Sequence, residues 1–230
     1  MSDAPRFAVY FAPAPESALW RFGCQVIGYE AARHSVAIPS VAALEAARAR
    51  GSFVEPARYG FHATLKAPFE LRAGATEADL IARAGTFAGS TKGFSIGRLT
   101  VSCIDRFVAL IAPLPSARLE TLAARCVVEF DDLRAPLSPD DRARRLKARL
   151  TAAELAYLDR WGYPYVFEQF RFHMTLAGPL TPDRIEDLRC CLAGLYSPLD
   201  ADVEVDAIAI FKQQSRSESF RLVRRFAFAD

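Results

Sequence analysis

Three histidines occur in this 230-residue sequence, and two of them share their surroundings. Tyr59-Gly60-Phe61-His62-Ala63-Thr64-Leu65-Lys66-Ala67-Pro68-Phe69 returns 111 residues later as Phe170-Arg171-Phe172-His173-Met174-Thr175-Leu176-Ala177-Gly178-Pro179-Leu180, with five of eleven positions identical. An imidazole titrates near neutrality, so two of them facing one cleft can supply a general base and a general acid in one turnover. Cleavage of a phosphodiester by water needs that pair. The hydroxyls of Thr64 and Thr175 can donate to non-bridging phosphate oxygens, and Lys66 and Arg171 can offset substrate charge. No metal or other cofactor is required by such a scheme. A lone strand histidine is usually structural; two in a repeated context point to function.

The elements that must hold these side chains follow from alternation. Phe61, Ala63 and Leu65 are apolar and Gly60, His62, Thr64 and Lys66 fall between them, the period of a strand with one buried face. Phe170, Phe172, Met174 and Leu176 form the matching buried set, leaving Arg171, His173 and Thr175 on the open face. Each motif therefore predicts a strand that presents an imidazole, a hydroxyl and one cation. The proline three residues beyond each H-x-T-L is expected to end ladder pairing.

The duplicated H-x-T-L resembles the two-histidine (2H) phosphoesterases, whose members include bacterial and archaeal RNA 2′,3′-cyclic phosphodiesterases and plant cyclic-nucleotide phosphodiesterases. The resemblance extends to the opening RFAVYFAP and closing FRLVRRFAFA strands. YGFHATLKAPF, WGYPYVFEQFRFHMTL and the opening YFAP look like the branch often encoded among phosphonate-degradation genes. The resemblance implies an α+β fold of the LigT-like kind: an internally duplicated, bilobed chain of two antiparallel sheets backed by helices around a central cleft. It also implies one H-x-T strand central to each lobe, and both chain termini in one lobe.

The expectation is a single bilobed domain over residues 1–230, with halves of about 1–115 and 116–230 and strand exchange between lobes. His62, Thr64, His173 and Thr175 are the catalytic candidates; Lys66, Arg171, Tyr59 and Tyr165 are the substrate-binding candidates. The expected reaction is metal-independent hydrolysis of a small cyclic phosphodiester. By the phosphonate-branch resemblance, a phosphorylated ribosyl cyclic phosphate is a substrate class. The alternatives are an RNA 2′,3′-cyclic phosphodiesterase or 2′-5′ RNA ligase, and a non-catalytic module that binds a nucleotide or RNA end. A dinuclear metallophosphatase is disfavoured, because neither motif contains Asp or Glu to ligate hard cations.

Hydrophobic content of 51% with 24% charged residues is ordinary for a globular chain, which at this length buries roughly 70% of its unfolded surface. A net charge of +2 argues against a long nucleic-acid track and favours a small phosphorylated partner. With no long apolar run and no signal-like start, the reading is cytoplasmic, without membrane contact. Cys24, Cys103, Cys126, Cys190 and Cys191 form no C-x-x-C pair and read as reduced thiols.

Along the chain, strands are expected at 6–12, around each histidine, at 94–104 and 106–113 as a hairpin about Asp105, and at 202–211 and 219–228. Helices are expected at 16–29, 40–50, from Thr76 with a variant capping box, at 116–130 and at 182–195. Residues 131–169 have no counterpart in the first half. They read either as a solvated helix pair, the favoured reading for the basic DDRARRLKAR run, or as a lid whose Tyr163 and Tyr165 stack on substrate. His34 lies in GYEAARHSVAIP without a partner motif and reads as a loop or helix-end residue with no role.

Overall fold

The computed structural model describes residues 4–33, 37, 39–199 and 201–229. His34, and the reading attached to it, lies outside the described residues. Seven strands build one antiparallel sheet in the order β4 (Thr100–Ile104), β5 (Phe107–Ile111), β6 (His173–Ala177), β2 (Ala63–Glu70), β1 (Arg6–Phe11), β8 (Ala207–Gln213) and β9 (Arg221–Ala227). The two-residue strands β3 (Phe94–Ser95) and β7 (Glu204–Val205) pair separately. The class is α+β, as expected.

The sheet is two ladders that barely touch. β4, β5 and β6 form one; β2, β1, β8 and β9 form the other, which contains both terminal strands. Between them β2 and β6 share a single Cα pair, Ala63 opposite Met174. Each histidine strand is backed by a helix from the other half of the chain. α5 (Ala117–Glu129) packs on β2, and α1 (Ala18–Ile27) packs on β6. The halves therefore support each other's motif strand.

Local chemistry explains most element ends. Ser17 accepts a hydrogen bond from Trp20 N at the start of α1, and Gly28 closes that helix in the left-handed region at φ 75°. Thr76 and Asp79 make the capping box that opens α4 (Glu77–Gly89). The β4–β5 hairpin turns at Asp105, with Ile104 opposite Phe107. The stretch expected as one strand over 94–104 is two, because Gly97 takes φ 69° and leaves Phe94–Ser95 to pair with β7. Past the second motif, α8 (Pro182–Tyr196) covers β4 and β5. Two short helices before the first motif, α2 (Ala42–Ala49) and α3 (Val54–Tyr59), precede β2; α3 is too short to show a helical period.

Pro68 does not end its strand. β2 runs on to Glu70 by slipping register twice against β1: Tyr10 faces Thr64, Val9 faces Lys66, and Phe7 faces Phe69. The extra residues are bulges, which absorb a proline that cannot donate to the ladder. In the second copy, β6 does stop before Pro179.

Phe61, the residue before His62, is fully buried because α1 comes close to it at Gly23. A Cβ on Gly23 would lie 2.2 Å from Phe61 Cγ and 2.3 Å from both Cδ atoms. Gly23→Ala is therefore expected to destabilise the fold by about 1–3 kcal/mol through overpacking. Urea unfolding measures this, and a change within error would remove Gly23 as the determinant of the contact.

Candidate active site

The Ala63–Met174 pair fixes the geometry of both motifs. In an antiparallel ladder, continuing that register puts Thr175 across from His62 and His173 across from Thr64. All four side chains then share the face opposite Ala63 and Met174, and all four line one chamber of about 360 Å³. That volume suits a small ligand.

Both imidazoles are oriented alike. Nδ1 of His62 lies 2.8 Å from the carbonyl of Gly60, and Nδ1 of His173 lies 2.8 Å from the carbonyl of Arg171. A carbonyl only accepts, so each Nδ1 carries the proton and each Nε2 is left to the chamber. The Thr64 hydroxyl lies 3.1 Å from His62 Nε2 and donates to it.

Their neighbours differ. Tyr10, opposite Thr64, stacks on the His62 ring with centroids 3.6 Å apart at 21°. At the equivalent place in the second ladder, opposite Thr175, stands Ala109. Tyr59 and Phe211 add tilted rings at 6.5 Å and 6.3 Å from His62. This enclosure lowers the His62 pKa to about 4, chiefly by burial; its hydrogen bond to Gly60 opposes the shift and His173 adds to it. His62 is thus neutral at pH 7, and its Nε2 lone pair accepts from the Thr64 hydroxyl.

The four substrate-binding candidates separate. Tyr59 lines the histidine chamber and stacks on Phe220. Tyr165 and Arg171 line an adjoining chamber of about 510 Å³ with Tyr163, Phe107, Phe167 and Phe170. The two chambers share Thr64, Ala67, Phe107, Tyr163 and His173. Lys66 belongs to neither, a correction to its expected place on the catalytic face. The bulge between Thr64 and Lys66 sets Lys66 opposite Val9, and successive residues of β1 point to opposite faces. Its Nζ is buried and donates to the Val127 carbonyl and to Asp131, 3.1 Å away. Burial lowers the Lys66 pKa to about 8, with Asp131 opposing. Asp131 also binds Arg134 and Arg160, which makes this cluster a tie between β2 and residues 131–161.

Several residues that line the histidine chamber lie outside both motifs. Arg6 and Tyr10 come from β1, and Arg144 and Arg145 from α6 (Pro139–Arg145), which with α7 (Ala152–Trp161) lies in the unmatched segment. The basic run favoured as a solvated helix thus supplies a wall of the cleft, and Tyr163 stands between the chambers. Alternation gives the only available signal for β1: Arg6, Ala8 and Tyr10 share a face. Nothing in the composition of DDRARRLKAR distinguishes Arg145 from its neighbours.

Among the described residues, no group of three or more His, Cys, Asp or Glu side chains is placed to hold a metal ion. No helix there is long and apolar enough to cross a membrane.

A family described as "Protein of unknown function (DUF1045)" matches residues 64–221, so the chain belongs to that family. The paired H-x-T strands fit the two-histidine phosphoesterase resemblance. Similar proteins include two named "Ribose 1,5-bisphosphate phosphokinase PhnN". That of Janthinobacterium sp. (strain Marseille) is 34% identical over 97% of this chain and 51% of its own length. That of Laribacter hongkongensis (strain HLHK9) is 35% identical over 95% and 51%. The chain spans about half the length of these curated relatives. Distant likeness to solved structures includes a crystal structure of a phosphoesterase (TM-score 0.44, 13% identity, 99% of this chain and 100% of that one). E. coli LigT complexed with phosphate gives TM-score 0.43 at 13% identity, with 100% of both chains covered.

Two predictions follow from the buried groups. The unfolded chain protonates His62 near its ordinary pKa of about 6.5, whereas the folded chain resists until about 4. The unfolded state binds more protons between those values, so stability should fall by up to about 3 kcal/mol as pH drops from 6.5 to 4. Urea unfolding of wild type and His62→Gln across that range checks this; equal pH slopes would refute the assignment. Asp131→Ala, which strands buried Lys66, should cost about 3–5 kcal/mol, more than Lys66→Met, which leaves Asp131 with two arginines. The reverse order in urea melts would overturn the reading of this tie.

Proposed function

We propose that this chain is a metal-independent phosphodiesterase that opens a small cyclic phosphodiester with water. The observation that supports it best is the cross-strand square of His62, Thr64, His173 and Thr175, with each Nδ1 occupied by a backbone carbonyl. His62, neutral and enclosed, is the base: its Nε2 takes a proton from water as the water oxygen bonds to phosphorus. His173 is the acid: as the imidazolium, with Nδ1–H held by the Arg171 carbonyl, it protonates the ring oxygen from Nε2 as the phosphorus–oxygen bond breaks. The Thr64 and Thr175 hydroxyls donate to the non-bridging oxygens, which carry the charge that builds up in the transition state. Tyr59, Tyr165 and Arg171 contact the remainder of the substrate.

The kinase named for the relatives is not proposed for this chain. A nucleotide-phosphate loop of the G-x-x-x-x-G-K-[ST] type needs a Gly-Lys pair, and the sequence has none. The relatives' name does associate a phosphorylated ribose with proteins that contain such a region, and that supports a ribosyl cyclic phosphate as the substrate class. The aromatic chamber of Phe107, Tyr163, Tyr165 and Phe167 favours one second reading, a nucleoside 2′,3′-cyclic phosphate whose base stacks there.

A panel of ribosyl and nucleoside cyclic phosphates, assayed in the presence of a chelator, tests the proposal. His62→Ala and His173→Ala are each expected to lower turnover by roughly 10²-fold or more with the fold intact. Thr64→Val and Thr175→Val should each remove about 1–3 kcal/mol of transition-state stabilisation. Loss of activity in chelator would end the metal-independent scheme, and wild-type rates in either histidine variant would end the two-histidine one. Tight binding without turnover of any member would leave a binding module instead.

A further inference from the structure

Two donors that line the histidine chamber lack acceptors among the described residues. The Tyr10 hydroxyl is fully buried with no hydrogen-bond partner among the described residues, although its ring serves His62. Arg145 Nε is likewise buried and without a partner, and its guanidinium lies over the Tyr163 ring, 4.8 Å from the centroid. Both residues line the chamber that contains the catalytic candidates, beside Arg6, Arg144 and Tyr59. A buried donor left unmatched is costly, so two in one chamber require an explanation.

The charge balance of the chamber lining is positive. Arg6 gives Nε and Nη2 to Gln213, a neutral acceptor, so its charge is not cancelled. Arg144 is paired with Asp141, which also receives Arg216. Glu55, the one carboxylate lining the chamber among the described residues, lies 3.8 Å from Arg58. Arg145 has no carboxylate within ion-pair distance among the described residues. A guanidinium presents its donors in a fork that matches a phosphate, and a phenol hydroxyl adds a third donor.

We propose that Arg145 and the Tyr10 hydroxyl, supported by Arg6, form a second anion subsite that holds a phosphate monoester on the same substrate whose cyclic diester lies between the histidines. This deepens the phosphodiesterase reading and rests on it. The substrate is then a bis-phosphorylated sugar or nucleoside. The diester is consumed at the H-x-T square and the monoester serves only as a handle. Placing the handle on β1 and α6 separates recognition from the strands that carry the chemistry.

The test compares a nucleoside 2′,3′-cyclic phosphate with its 5′-phosphorylated counterpart. Wild type is expected to prefer the 5′-phosphorylated substrate in kcat/KM, and Arg145→Gln to reduce that preference at least tenfold. Tyr10→Phe, which keeps the ring on His62 and removes only the oxygen, should reduce it several-fold. If Arg145→Gln does not fold, Arg145→Lys replaces it, since the charge remains and the fork is lost. Absence of preference in wild type, or a preference unchanged in the Arg145 variant, overturns the subsite. Calorimetric binding of ribose 5-phosphate separates this outcome from failure of the diesterase reading. Binding that weakens at least tenfold in Arg145→Gln, with no diester turned over by wild type, keeps the subsite and discards the reaction. Arg145-dependent binding with an unchanged preference means a free-phosphate site and overturns the shared substrate. Binding indifferent to Arg145 overturns the subsite whatever the turnover.

Discussion

One Cα pair, Ala63 opposite Met174, holds the functional geometry of this chain together. Because side chains alternate along strands, that pairing decides which face of β2 meets which face of β6, and a slip of one residue would send a histidine into the core. So short a junction would be soft if the two ladders met through it alone. The helices supply the stiffness: α5 of the second half supports β2 of the first, and α1 of the first supports β6 of the second. Neither motif strand can shift without disturbing the packing of the other half. The repeated motif is thus more than a repeated sequence, since each copy is braced by a helix from the other half of the chain.

Two near-identical motifs would give two near-identical histidines, yet the proposed hydrolysis needs an acid and a base. The difference arises one strand away. Tyr10 covers His62, whereas Ala109 occupies the matching position beside His173. Enclosure disfavours the imidazolium, and His62 is driven to the neutral form that a base requires. A symmetric scaffold acquires chemical direction through one aromatic side chain, and β1, not the motif, contains it.

The sequence showed the α+β class, the paired strands, most helices and the four H-x-T side chains, because these rest on alternation, caps and repetition, all local patterns. It misplaced Lys66, because a β-bulge inverts the faces of the residues up to the next bulge and period-two counting assumes a regular pleat. It missed Arg6 and Tyr10 as site residues because they occupy an otherwise apolar strand, where a tyrosine is ordinarily core. Arg144 and Arg145 were hidden differently. A helix as short and charged as α6 shows no apolar stripe, so nothing in its order tells which arginine faces the cleft. Such information exists only once α6 is tied down by Arg216 to Asp141 and by Arg142 to Asp159.

Those ties explain why recognition can sit on a segment that the duplication lacks. The H-x-T strands are constrained from both sides and leave little room for change without loss of the reacting geometry. α6 and the aromatic turn after α7 are anchored at their margins but meet the cleft with side chains that no motif strand needs for support. A change at Arg145 or Tyr165 alters what fits beside the histidines while the histidines remain in register. On the proposed reading, the chemistry and the grip on a second phosphate are held by different elements, joined where Tyr10 contributes its ring to one and its hydroxyl to the other.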